Sequence, residues 1–166
     1  MAGEMTARPN AFQRLIHRFL MLKPVSACLA IVLQPVDTFL LRLTKDRHTI
    51  TEIVGLPILQ LTTIGRRTGM PRQSVLVGLQ DGEKIVLIAS NFGRTHNPGW
   101  YYNLKANPEC EVLWNGRSGK YIAREAEGDE REKYWQMGSS YYAGYEKYKA
   151  RAAHRRIPVM VIEPKK

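Results

Sequence analysis

The run Gly65-Arg66-Arg67-Thr68-Gly69, followed by Arg72, is the sharpest chemical signal in the sequence. Its two glycines allow backbone conformations that other residues resist. Such a turn can aim backbone N–H groups at an oxyanion. Three guanidinium groups can then make forked bonds to phosphate or carboxylate. A solvated basic hairpin explains the same residues without a ligand, and both readings stand at this level. The second unusual stretch runs from Ser90 to Asn103. A strand is expected to end at Ser90, a loop containing Asn91 and Gly93 follows, and a helix opens at Asn97-Pro98. A helix N-terminus favours phosphate or another electron-rich oxygen. Trp100 and Asn103 share a helix face, so one can stack on a flat ring while the other hydrogen-bonds its edge. Core packing is the plainer role for Trp100.

The third stretch is rich in tyrosine. Tyr141, Tyr145 and Tyr148 form one helical stripe, and Tyr142, Tyr145 and Tyr148 step by three. A tyrosine stripe usually belongs to a core, yet each buried hydroxyl needs a partner that leucine would not. With Gly138 and Gly144 nearby, a mobile aromatic lid over an apolar substrate is the functional alternative. The common self-contained catalytic motifs are missing. There is no G-x-S-x-G, no H-E-x-x-H, no paired-cysteine motif and no Walker loop. His17, His48, His96 and His154 are scattered. Reactivity, if present, must come from a bound cofactor that the protein orients. No metal site is expected.

Composition agrees with an anionic ligand. Lys and Arg number 25 against 15 Asp and Glu, a formal charge of +10 over 166 residues. With 44% hydrophobic residues the chain can build a sizeable core, which excludes a disordered chain or repeat array. Cys28 and Cys110 are too far apart in sequence to suggest a disulfide framework, which points to a reducing compartment.

Asn10 can cap a helix to about Leu22, and Asp37 a short one over about 38–45. The first either lies on an anionic membrane surface or packs on its own domain or a second subunit. Phe19 to Leu33 is interrupted by Lys23-Pro24, so it reads neither as a bilayer span nor as a signal peptide. A boundary near residue 50 divides an N-terminal helical extension, 1–50, from a strand-rich domain, 51–166. In that domain strands are expected over 58–64, 72–80, 84–90, 109–114, 120–127 and 157–163. Asp81-Gly82 is read as a type I′ hairpin turn, and Asn115-Gly116 as the turn of a second hairpin. Helices are expected over 98–106, capped by Asn97, and from Asp129, with Glu132 completing a capping box, to about Met137. Gly138-Ser139-Ser140 weakens the second, which resumes over 141–153. About six mainly antiparallel strands with inserted helices describe an α+β domain closing into a small barrel.

The ordered motifs resemble the deazaflavin-dependent nitroreductase family. They are Leu61 to Gly69 with Arg72, Asp81-Gly82, Ala89-Ser90, Asn97-Pro98, Trp100-Tyr101, Asn103 to Pro108, Tyr134-Trp135, Ile157-Pro158 and Glu163-Pro164. The resemblance implies a split β-barrel, coenzyme F420 as cofactor, and hydride transfer to a small electron-poor acceptor such as a quinone, nitroaromatic or activated enone. It implies that Arg66, Arg67 and Arg72, with Thr68 and Gly69, hold the coenzyme's phosphate and glutamate tail. Ser90, Asn91, Pro98, Trp100 and Asn103 would line the coenzyme. Tyr142, Tyr145 and Tyr148 would shape the substrate pocket, with Tyr145, Ser90 and Tyr142 as the catalytic candidates. Two departures bear on substrate scope: Val75 stands where the family often has Pro, and Asn91-Phe92 where it often has Lys-Gly or Gly-Gly.

Rival readings are a carrier of the same coenzyme without turnover, an FMN or haem binder on the same barrel, and a single-stranded nucleic-acid module. The last requires aromatics spread over strand faces, whereas here they gather on a helix. No nucleic-acid partner is expected. The expected location is the cytoplasm, with peripheral contact at the inner face of the cell membrane through the N-terminal helices, and a homodimer, as open options.

Overall fold

The structure, a computed structural model, describes residues 57–165. The expected N-terminal helices and the boundary near residue 50 lie outside the described residues. Seven strands are present: β1 (Ile58–Ile64), β2 (Pro71–Val77), β3 (Leu79–Asp81), β4 (Lys84–Ile88), β5 (Glu109–Trp114), β6 (Arg117–Glu125) and β7 (Val159–Pro164). Three helices interleave them: α1 (Gly99–Ala106), α2 (Gly128–Tyr141) and α3 (Gly144–Arg151). Among the described residues no helix is long and apolar enough to cross a membrane.

The strands form one sheet in the order β2-β1-β5-β6-β7-β4-β3. Every neighbouring pair is antiparallel. β2 and β3 stand at opposite ends of this order, yet only Gly78 separates them along the chain. The sheet must therefore curl until its two ends meet, which makes it a split barrel. Gly78 is the corner, and its N–H donates to the carbonyl of Pro57 at 2.9 Å. A Cβ there would lie 2.3 Å from Leu59 Cδ2 and 3.3 Å from Ile85 Cγ2. Glycine at such a corner admits the close approach that closure needs. The expected strand over 72–80 is thus two strands, and the count rises from about six to seven.

Alternation along the central strands sends side chains into two cores. Leu59 and Leu61, Ile85 and Leu87, and Met160 and Ile162 pack with Trp100 and Leu104 of α1. Val86, Ile88, Val159 and Val161, from the same two strands β4 and β7, pack with Tyr134, Trp135 and the tyrosines of α3. β4 and β7 are covered on both faces, which explains their unbroken apolar runs.

The turns and helix ends follow local rules with three corrections. Asn115 and Gly116 take φ of 51° and 73°, the type I′ pattern, and Trp114 pairs with Arg117. In the first hairpin Asp81 pairs with Lys84, so the central residues are Gly82 and Glu83. Only Gly82 has positive φ, the pattern of a type II′ turn rather than the expected I′. Asp129 does not cap α2; Glu127 is the N-cap, without a side-chain bond, and Asp129 and Glu130 occupy the first turn. There their negative charge still favours the helix N-terminus. Nor does α2 weaken at Gly138. It continues to Tyr141 because Gly138 lets it lie flush on β4, where a Cβ would stand 2.3 Å from Ile88 Cδ1.

Gly78→Ala is expected to lower unfolding stability by roughly 1–3 kcal/mol, because Leu59 and Ile85 are buried and must shift. Gly99→Ala, where an added Cβ meets nothing within 4 Å, should leave stability unchanged or raise it slightly. Urea denaturation of the two variants against the wild type reads the difference.

Candidate functional site

α1 closes the barrel interior and brings the basic turn and the Ser90–Asn97 loop to one place. Near its C-terminal end, Asn103 joins it to the turn: Oδ1 accepts from the Arg66 N–H at 3.1 Å, and Nδ2 donates to Thr63 Oγ1 at 3.0 Å. Thr63 is buried and shares its strand face with the cross-strand residue Arg72. The turn itself closes through Gly69 N–H to Gly65 O at 2.8 Å, with Gly69 at φ 67°. Met70 N–H donates to Thr68 Oγ1 at 3.3 Å. Asn103 is thus a strut for the turn, and both ends of its amide are already engaged.

Arg66, Arg67 and Arg72 are exposed. Among the described residues no carboxylate lies within ion-pair distance of any of the three. The Arg66 guanidinium lies over the Tyr102 ring, 4.8 Å from its centroid. Most acids are engaged elsewhere. Asp81 receives Lys133 at 2.7 Å and Tyr134 at 2.9 Å, which hold its carboxyl below the usual range. Glu130 and Glu163 share Arg124, and Glu125 takes Tyr101 and Lys105 of α1, each at 3.1 Å. Trp100 is only 5% exposed, the core-packing role read from the sequence, because the barrel interior needs a large apolar plug. Tyr102 is the α1 aromatic that meets the basic turn.

The loop before α1 is an unusual piece of backbone. Asn91, Phe92 and Gly93 have φ of 48°, 56° and 78° in succession. A left-handed conformation costs non-glycine residues roughly 1–2 kcal/mol each. The Phe92 ring meets Tyr148 edge-on at 5.9 Å, and a Cβ on Gly93 would lie 3.0 Å from the Tyr148 carbonyl. The loop therefore sits between α1 and α3. Pro98, not Asn97, is the N-cap of α1. Asn97 does not cap because its Oδ1 accepts from Arg155 Nη1 at 2.5 Å. Arg155 escapes sequence reading because its partners lie 58 to 65 residues away and no local pattern announces them.

On the far side of the loop the tyrosines form a buried knot. Tyr142, Tyr145 and Tyr148 are 8%, 5% and 4% exposed. The hydroxyls of Tyr142 and Tyr148 are 3.2 Å apart. Glu146 accepts from Trp135 Nε1 at 2.6 Å and Ser139 Oγ at 2.7 Å, clipping α3 to α2. Gly144, expected to loosen this segment, serves close packing: a Cβ would lie 2.1 Å from the Tyr142 ring. Burial raises the pKa of all three phenols. They stay neutral at physiological pH and act as hydrogen-bond donors and acceptors, not as anions. The Cys110 thiol, pushed up to about 12 by burial, is inert packing in the barrel.

Because these phenols ionise near 10 when unfolded and higher when folded, unfolding releases protons above pH 10. Their contribution to stability is complete below about pH 10 and falls as pH rises further. Absorbance at the phenolate band during alkaline titration should show a late, cooperative step coincident with loss of circular dichroism. Tyr142→Phe combined with Tyr148→Phe should shrink that step.

A profile of the F420H(2)-dependent quinone reductase family matches residues 39–164. The F420H(2)-dependent quinone reductase Rv1261c of Mycobacterium tuberculosis (strain ATCC 25618 / H37Rv) is 34% identical over 109 residues, 64% of this chain and 72% of the relative. A solved F420-H2 dependent reductase, FDR-A, superposes with a TM-score of 0.60 at 35% identity, covering 64% of this chain and 94% of that one. Another solved structure, a domain-swapped dimer, superposes with a TM-score of 0.60 at 32% identity, covering 76% of this chain and 98% of that one. With the profile spanning most of the sequence and the split barrel shared, the chain belongs to the F420H(2)-dependent quinone reductase family.

Proposed function

We propose that this protein uses reduced coenzyme F420 to reduce a quinone-class acceptor in the cytoplasm, with Arg66, Arg67 and Arg72 gripping the coenzyme's polyanionic tail. The observation that carries the assignment is three exposed guanidiniums, without carboxylate partners among the described residues, on a glycine turn that Asn103 fixes to α1. These residues suit a phosphate and a string of carboxylates. When bound, the reduced deazaflavin supplies a hydride at two-electron stoichiometry. One hydride and one proton convert a quinone to its hydroquinone, so the chain need not store electrons.

Orientation is the main task left to the protein, and it can supply roughly 7–11 kcal/mol of the barrier at best. In this reading Thr68 and Gly69 shape the turn around the tail. Ser90, Asn91 and Pro98 border the ring, with Asn103 holding the turn in register and Trp100 backing α1 from the core. Ser90 and the neutral Tyr145 hydroxyl donate hydrogen bonds where negative charge grows on the acceptor oxygen, with Tyr142 and Tyr148, whose hydroxyls bond each other, shaping the pocket. With their pKa raised by burial these phenols are weaker acids than in water, so in this reading the hydroquinone's proton comes from solvent. A homodimer belongs to the same reading, since a relative at 32% identity is a domain-swapped dimer.

Fluorescence titration with F420, then oxidation of reduced F420 by menadione, tests the assignment. Saturable binding and protein-dependent oxidation are expected; binding without acceleration would mark a carrier. Arg66→Ala with Arg67→Ala should weaken F420 binding about tenfold or more at low salt, and less at high salt. Tyr145→Phe should keep F420 affinity and lower turnover by about 10- to 100-fold. Unchanged turnover would remove its role at the acceptor.

A further inference from the structure

Arg155 lies between α3 and β7, where its own N–H bonds back to Ala152 O at 2.9 Å. Its guanidinium reaches across to the loop before α1 at three points. Nη2 donates to Ser90 O at 2.9 Å, Nε to Arg94 O at 3.0 Å and Nη1 to Asn97 Oδ1 at 2.5 Å. One planar group thus ties the first residue of the loop, its middle and its last residue. Ser90 O also takes the Gly93 N–H at 2.9 Å, and Asn91 O takes the Arg94 N–H at 3.0 Å.

Between these anchors lie three consecutive left-handed residues, of which Asn91 and Phe92 carry side chains. Such backbone persists only where its surroundings over-determine it. Other ties from outside the loop include His154 to Thr95 O at 3.1 Å, the edge contact of Phe92 on Tyr148, and the close approach of Gly93 to Arg151 and the Tyr148 carbonyl. Among the described residues Arg155 has no carboxylate partner. It serves as a three-pronged geometric brace, not as half of an ion pair. Lysine, a single point donor, cannot span the three acceptors.

We propose that Arg155 is a positioning residue: its fork holds the Ser90–Asn97 loop with Asn91, Phe92 and Gly93 left-handed and so sets Ser90, Asn91 and the start of α1 for the coenzyme. The proposal rests on the reading that this loop borders F420, and its test separates the two. In the free protein, the Gly93 and Arg94 amides should exchange about tenfold faster or more in Arg155→Lys and Arg155→Ala, while the Val86 and Val161 amides keep wild-type rates. F420 affinity should fall about tenfold or more in both variants. Added guanidinium ion, well below denaturing concentration, should restore loop protection and affinity in Arg155→Ala but not in Arg155→Lys, whose ammonium fills the slot. Wild-type exchange at Gly93 and Arg94 in both variants would overturn the brace. Faster exchange with unchanged affinity would overturn its coupling to the coenzyme. Wild-type protein that takes up no F420 would sink the functional reading, and the coupling with it, while the exchange rates still report on the brace.

Discussion

A seven-stranded sheet whose two end strands are joined by a single residue cannot stay open. β2 and β3 must be carried around until Gly78 can link them, and the curvature that results determines where everything else goes. It creates a barrel interior that strand residues alone do not fill, so α1 enters with Trp100 and Leu104. It also leaves β4 and β7 with a second apolar face, which α2 and α3 cover with aromatic side chains. The candidate site is the seam between these two cores, where the loop leading into α1 passes Tyr148.

The seam is held by polar groups, each of which reads two or three segments at once. Asn103 measures the distance from α1 to β1 and the basic turn; Arg155 measures it from the β7 approach to both ends of the loop. Buried or half-buried polar groups of this kind specify one arrangement, because losing a partner strands a donor or acceptor away from water. Meanwhile Asp81, Glu125, Glu130, Glu146 and Glu163 are engaged by residues of the framework. Among the described residues no carboxylate pairs with the guanidiniums of the 65–72 turn, which is a property of placement and not of net charge alone.

What was legible in the sequence was mostly local. The Asn115-Gly116 turn, β1, β5 and the extent of α1 follow from φ preferences, alternation and a proline stop. The basic turn was legible because it concentrates charge and glycine in a few residues. What escaped depends on contacts distant in sequence. Gly78 lies inside an apolar run and differs from any strand glycine only through Leu59 and Ile85. Gly138 and Gly144 suggested looseness, whereas their neighbours show them to be sites of close approach. Asn97 had the composition of a helix cap, yet a guanidinium 58 residues away claims its oxygen. In each case tertiary contact decided between two roles that the residue type alone permits.

The tyrosine knot shows how such ambiguity can serve chemistry. A core made of leucine would pack the outer face of β4 and β7 without hydroxyls to satisfy. Here the hydroxyls of Tyr142 and Tyr148 meet each other, an arrangement in which either can be the donor. Burial keeps the phenols neutral, so they hold their protons while remaining able to donate them in hydrogen bonds. In the function proposed above, such a group would stabilise charge appearing on a nearby oxygen during reduction without carrying charge itself beforehand. The Phe92 turn meets the ring of Tyr148 and Arg155 bonds the backbone just after it, so the knot is coupled to the loop that leads into α1.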